Sequence, residues 1–274
     1  MAEIGFLEGR DVTVEYLSAE GHLDQLPALA DDLVRRRVAV ILAVTGDSAL
    51  AAKAATPTIP VVFIISGDPV GLGLVSSLNR PGGNLTGVAA LVAEIAAKRL
   101  ELLHKLVPAA ESIAMFSGPA AEASSQAEVR NAQSAARALG LRLLLFNVAT
   151  DSEVAAAFAT LVERQTGAVL VGGSVQLIPR YDQIISLAAR YTLPTMFVYG
   201  NAREGGLLSY GPVVSEYIRL AGAYTGRILK GEKPADLPVQ LATRFEFVIN
   251  LKTARALRIE IPPLLLALAD EVIE

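Results

Sequence analysis

With 274 residues, 52% of them apolar and 19% charged, the chain can fill two cores and is not of a disordered composition. A net charge of −4 argues against a nucleic-acid surface, and the absence of cysteine removes disulfides, thiolate metal sites and a cysteine nucleophile together. No apolar run reaches the ~18 residues of a membrane span, and the opening MAEIGFLEGR has no basic segment followed by an apolar one, so no signal peptide is expected in this chain.

Met1 to Phe6 reads as the tail of a helix closed by Gly5, and Asp11 to Leu17 as a strand in which Val12, Val14 and Tyr16 alternate. Residues 22–37 predict a helix with Leu26, Leu29 and Leu33 on one face. Its closing Arg35, Arg36 and Arg37 are favoured there by the helix macrodipole and read as a solvated end rather than a binding patch. Val38 to Val44 and Val61 to Ile65 are continuous apolar runs, the pattern of parallel strands covered on both faces. Between them an Ala-rich helix opens at Thr45 and runs to Ala55. Asn79 to Gly87 (NRPGGNLTG) reads as a turn-rich loop. Ala89 to Val107 reads as a helix with Val92, Ala96, Leu100, Leu103 and Val107 on one stripe, and with Glu94/Lys98 and Glu101/Lys105 as i,i+4 pairs on its wet side.

A new unit opens with strand Ser112 to Phe116, the polar loop SGPAAEASS, a helix closed by Gly140, and strand Leu141 to Val148. Thr150 and Glu153 form a capping box for a helix facing inward with Val154, Phe158, Leu161 and Val162. Strand Ala168 to Val171, helix Arg180 to Tyr191 and strand Thr195 to Tyr199 follow. The pattern then changes to a short strand Leu207 to Tyr210, a helix Val214 to Lys230 stopped by Gly231, a strand Phe245 to Ile249 and a last helix beginning near Pro262 and Pro263.

The two halves repeat one another. Strand, capped helix, strand, helix, Thr58-Ile59-Pro60, strand in the first half matches the same order ending in Thr192-Leu193-Pro194 and strand in the second. The expectation is an α/β protein of two doubly wound parallel-sheet lobes. The second copy has a strand and a helix (Ser112 to Leu139) ahead of its Gly140, where the first has only a few residues ahead of Gly5; the first lobe is therefore expected to lack its opening strand and most of its opening helix.

In open α/β sheets ligands bind at the strands' carboxyl ends, where helix N-termini converge. Those ends here carry Thr45-Gly46-Asp47-Ser48, Ser66-Gly67-Asp68, Ser117-Gly118 and Gly172-Gly173-Ser174, joined by Tyr199 and by Ser209-Tyr210-Gly211. Hydroxyls and free N–H groups suit a carboxylate and an aspartate suits an ammonium, so the set fits a zwitterion such as an amino acid. Thr45, Gly46 and Ser48 are the candidate carboxylate partners, Ser66 and Asp68 polar contacts with Asp68 near the ammonium, Ser117, Ser174 and Tyr199 contacts from the facing lobe, and Tyr210 of the hinge-like Ser209-Tyr210-Gly211 a further ligand-binding candidate. The plainer alternative is that Ser, Thr and Asp at these positions only cap helices. Signals for catalysis are weak. Gly71-Leu72-Gly73 lacks the third glycine of a dinucleotide fingerprint, and neither His22 nor His104 has a histidine partner at ligand spacing. Asp47 and Asp68 could pair as carboxylates, but nothing in the sequence shows a matching reaction.

The stretches GFLEGRDVTVEYLSAEGHLDQLPALADDLVRR, TIPVVFIISGDPVGLGLVSSLNRPGGNLTGV, KRLELLHKLVP and GRILKGEKPADLPVQLATRFEFVINLKTARALRIEIPPLLLALADEVI resemble the bacterial ABC-transporter substrate-binding proteins of the tryptophan/tyrosine-type uptake family. The resemblance implies a type I periplasmic-binding-protein fold with three crossings, near Phe116, Ser209 to Gly211, and Ile249, and hence lobes of residues 1–115 with 210–248 and 116–209 with 249–274. It further implies a periplasmic, monomeric, non-catalytic receptor without cofactor, metal or nucleic acid, which closes on a small molecule in the cleft between its lobes. An amino acid, aromatic by preference, is the expected ligand, and a membrane ABC permease the expected partner. A second reading, the sensing domain of a transcriptional regulator, requires a helix-turn-helix segment upstream; a third, a dinucleotide enzyme, requires a nicotinamide-dependent absorbance change.

Overall fold

The structure of the protein, a computed structural model, describes residues 2–119 and 123–274. In chain order the elements are α1 (Leu26–Arg35), β1 (Ile41–Ala43), α2 (Gly46–Ala55), β2 (Val61–Ile65), β3 (Leu85–Ala89), α3 (Ala96–Leu106), β4 (Ser112–Ser117), α4 (Ala123–Ala138), β5 (Arg142–Asn147) and α5 (Asp151–Glu163). They continue as β6 (Val169–Val171), α6 (Tyr181–Arg190), β7 (Thr195–Phe197), β8 (Leu208–Pro212), α7 (Val214–Leu229), β9 (Gln240–Leu241), β10 (Phe245–Asn250), α8 (Leu251–Ala256), α9 (Pro263–Leu268) and β11 (Glu271–Ile273). Of the polar loop expected after β4, residues 120–122 lie outside the described residues.

The chain divides into two compact units, Met1–Leu91 with Val214–Thr243 and Val92–Val213 with Arg244–Glu274. The divisions thus fall at 91/92, 213/214 and 243/244 rather than at the 115/116, 209/210 and 248/249 expected. The first moves furthest because α3 packs on α4: Leu100, Leu103 and Leu106 share one apolar cluster with Ile113, Met115 and Ala132. Burial of those leucines outweighs the chain's nearness to β3.

In unit 1 the sheet order is β1-β2-β3-β9, every pair parallel. Ile41, Ala43, Phe63 and Ile65 pack under Ala49 and Ala52 of α2, while Val62, Ile64 and Val88 pack under Ala221, Tyr224 and Ile228 of α7. Helices on both faces account for the unbroken apolar run of β2, buried at all five residues. The first strand departs from that expectation. It is three residues long, pairs on one side only among the described residues, and leaves Leu42 47% and Val44, just past its end, 57% exposed. Asp11 to Leu17 is not a strand: apart from one bridge between Glu8 and Val12 it finds no pairing partner, and Tyr16 is 81% exposed. Alternation of apolar residues is not enough without a neighbouring ladder to join. The loop expected at 79–87 ends instead in β3, where Gly87 is required. A Cβ there would stand 2.1 Å from the Phe63 carbonyl oxygen on β2.

In unit 2 the order is β11-β10-β8-β7-β6-β4-β5, parallel throughout except for the β8–β10 pair. Ile113, Met115, Leu170, Met196, Leu208 and Phe247 form one face under α3 and α4. Ala114, Phe116, Val169, Val171 and Phe197 form the other under α5 and α6, where Phe116 meets Phe158 edge to face at 5.4 Å. The Thr150/Glu153 capping box is present at the start of α5. Val162 was expected on that helix's inner face and is 48% exposed; Val154, Phe158 and Leu161 fill the core without it. On α3 the Glu101–Lys105 pair forms, but Lys98 turns to Glu101 rather than Glu94.

Candidate functional site

Because β1 and β2 run parallel in register, with Ala43 opposite Phe63, their carboxyl ends lie side by side in unit 1. Thr45 caps α2 there: its Oγ1 accepts the Ser48 N–H at 3.0 Å and donates to Ser48 Oγ at 2.9 Å, while that Oγ donates to the Thr45 carbonyl at 3.0 Å. The N–H groups of a helix's first turn have no intrahelical acceptor, and the macrodipole adds partial positive charge at the same place. Gly46 begins the helix against the next loop; a Cβ on it would lie 3.3 Å from Leu72 Cδ1. Half-buried Ser66 follows β2 directly, and exposed Asp68 accepts the Val70 N–H on Oδ1 at 2.9 Å. Lys53 of α2 donates to the Gly73 carbonyl, which ties the Asp68 loop to the helix. The ends of β1 and β2 thus carry Thr45, Gly46 and Ser48 at the start of α2 and Ser66 and Asp68 in the loop after β2.

In unit 2 the corresponding end is built on the turn after β6. The Gly172 N–H donates to the Phe116 carbonyl at 2.8 Å, and Tyr199 Oη donates to the Gly173 carbonyl at 3.1 Å. Ser174 is buried, and its Oγ accepts the Gln176 N–H at 3.2 Å. Ser117 is also buried, and its carbonyl accepts the Val148 N–H at 2.9 Å, so that its backbone belongs to the sheet. Ser174 and Tyr199 are thus brought together. The Tyr210 ring stacks on Phe245 at 6.3 Å and stands edge-on to Phe247 at 6.4 Å. Burial, with Asp270 as a lesser cause, pushes its phenol above the usual value.

Sequence reasoning missed the residues beneath this turn. Arg99 is completely buried, and its guanidinium lies 2.6 Å from Glu128, whose second oxygen accepts the Gly173 N–H at 2.9 Å. The signal was present on α3: Arg99 stands three and four residues from Leu102, Leu103 and Ala96, all buried, which puts a cation on the apolar side of the helix. Among the described residues no group of three His, Asp or Glu side chains could hold a metal, and no helix is long and apolar enough to cross a membrane.

Comparison with known proteins adds four findings. The family described as ABC transporter substrate binding protein matches residues 1–273. A tyrosine-binding protein of Clostridioides difficile (strain R20291) is 29% identical over 260 residues, covering 92% of this chain and 72% of that protein. Among solved structures, an ABC domain from Streptococcus pneumonia in complex with L-Trp is 27% identical, with a TM-score of 0.86 over 99% of this chain and 92% of that one. A conserved domain protein from Vibrio cholerae is 26% identical, with a TM-score of 0.90 over 99% of this chain and 90% of that one.

Proposed function

This chain belongs to the family of ABC transporter substrate-binding proteins, and from that premise we propose that it is the receptor of an importer that takes up an aromatic amino acid. Members of the family bind solutes rather than catalyse reactions, and the fold is the one shared by type I periplasmic binding proteins. A small-molecule ligand, an ABC permease as partner and an extracytoplasmic place of action follow from membership. The observation that supports the finer reading is that relatives named for tyrosine and solved with L-Trp match nearly the whole chain.

The residue roles proposed follow from the local chemistry. A ligand carboxylate would accept N–H groups at the start of α2, beside the Thr45 and Ser48 hydroxyls, and Asp68 would take the ammonium. Ser117, Ser174, Tyr199 and Tyr210 would serve the ligand from unit 2. The protein is proposed to act as a monomer, in the periplasm, without nucleic acid.

The chain contains no tryptophan, so fluorescence excited at the indole band would come from L-Trp itself. We would titrate L-Trp by anisotropy and record thermal shifts with all twenty amino acids. A ligand at a thousand times its Kd adds about 4 kcal/mol, and at roughly 2–4 °C per kcal/mol for this size the expected rise in Tm is near 10 °C. The rise is expected with L-Trp or L-Tyr and not with aliphatic or charged amino acids. No shift with Trp, Tyr or Phe would remove the aromatic assignment.

A further inference from the structure

We propose that the buried Arg99–Glu128 pair is a positioning device that holds the Gly172–Ser174 turn, and with it Tyr199, in the geometry that meets ligand. The proposal rests on the receptor reading above for the word ligand; the geometry stands by itself. Arg99 projects from α3 with no exposed surface and is held 2.6 Å from Glu128 of α4. The same guanidinium donates to the Val171 carbonyl at the end of β6 and to the Met196 carbonyl of β7 at 3.4 Å. Glu128 then passes the constraint on, since its other oxygen accepts the Gly173 N–H at 2.9 Å.

The turn is gripped from several sides. Tyr199 Oη donates to the Gly173 carbonyl at 3.1 Å and Tyr181 Oη to the Gly172 carbonyl at 3.4 Å. Neither glycine can carry a side chain unless a neighbour moves. A Cβ on Gly172 would stand 2.7 Å from the Phe116 carbonyl oxygen, and one on Gly173 would stand 2.7 Å from Val92 Cγ1 and 3.3 Å from the Tyr199 hydroxyl. One ion pair therefore ties two helices and two strands to a single peptide of the strand-end turn.

Stability alone is a poor reason for such a pair. Removing both charges from water costs so much that apolar replacements of similar size are often neutral or stabilising. What an apolar pair cannot do is accept the Gly173 N–H or fix the strand-end carbonyls. Glutamine at 128 is also insufficient. A carboxylate accepts from Arg99 and from Gly173 together, whereas a carboxamide has one acceptor oxygen and presents donors to the other partner.

The test compares R99M/E128M and E128Q with the parent by L-Trp and L-Tyr titration, Tm without ligand, and hydrogen exchange at the Gly173 amide. R99M/E128M is expected to keep its Tm within about 3 °C of the parent and to bind L-Trp about tenfold or more weakly, the scale seen when supporting residues behind a site are lost. Affinity within about twofold of the parent in a folded R99M/E128M overturns the proposal. Should that variant not fold, E128Q decides: Gly173 exchange about tenfold faster than in the parent supports positioning, and unchanged exchange refutes it. A parent protein that binds neither L-Trp nor L-Tyr would count against the aromatic receptor reading, and the exchange result would still decide whether the pair holds the turn.

Discussion

At Gly172 a single added methyl group has nowhere to go. It would meet the Phe116 carbonyl oxygen at 2.7 Å and Glu128 Oε2 at 3.1 Å, both held in hydrogen bonds or an ion pair. Gly172→Ala is expected to lose about 1–3 kcal/mol through overpacking, read as a lower urea midpoint with an unchanged slope. A midpoint equal to the parent's would show that the turn relaxes freely. The dipeptide Gly172-Gly173 was legible as a turn, but which neighbours crowd it was not, since Glu128 is 45 residues away in sequence from Gly173.

Two helices carry threonine caps of the same chemistry, and their contrast separates capping from ligand contact. Thr45 Oγ1 accepts the Ser48 N–H at the start of α2, and Thr150 Oγ1 accepts the Glu153 N–H at the start of α5. Replacing either by alanine is expected to cost about 1 kcal/mol. Only Thr45→Ala is expected to weaken L-Trp binding, because Thr150 is assigned no ligand contact. Equal affinities for T45A and T150A would return Thr45 to the cap-only role. Both caps were legible from local pattern, since a cap satisfies donors within its own turn. Strand pairing is not local in this sense. The alternation in Asp11 to Leu17 read as a strand and found only the Glu8–Val12 bridge, while β3 emerged from a stretch rich in turn residues because Val61–Ile65 stands ready to pair with it.

Over the whole molecule, partnered carboxylates set the response to acid. Glu101 beside Lys105, Glu232 beside Arg227 and Glu246 beside Arg203 are each held below the usual glutamate value of 4.5 by a charged hydrogen bond. Glu153 is held below it by the backbone N–H of Ala149 in its capping box, and Asp32 below 3.8 by Arg36. A depressed folded-state pKa contributes stability that is present above the unfolded value and lost as pH falls through the folded one. Tm is therefore expected to be flat near neutrality and to fall progressively below about pH 4.5. On the alkaline side burial raises the Tyr217 phenol from 10.0 to about 12. A raised pKa acts in the opposite sense, so that contribution is complete below pH 10 and fades toward pH 12. A Tm scan against pH checks both limbs; an acid limb absent down to pH 3 would show that these pairs are equally protonated in the unfolded chain. The α/β class, the repeated helix-strand-helix-strand order seen in α1 to β2 and in α5 to β7, and the polar residues at strand ends were determined by sequence alone, because periodicity, capping and turn chemistry act over a few residues. The tertiary structure alone decided that α3 belongs with unit 2, that β1 is an exposed edge, and that Arg99 and Glu128 meet beneath Gly173. Those outcomes depend on which distant surfaces exclude water together, and no local pattern carries that information.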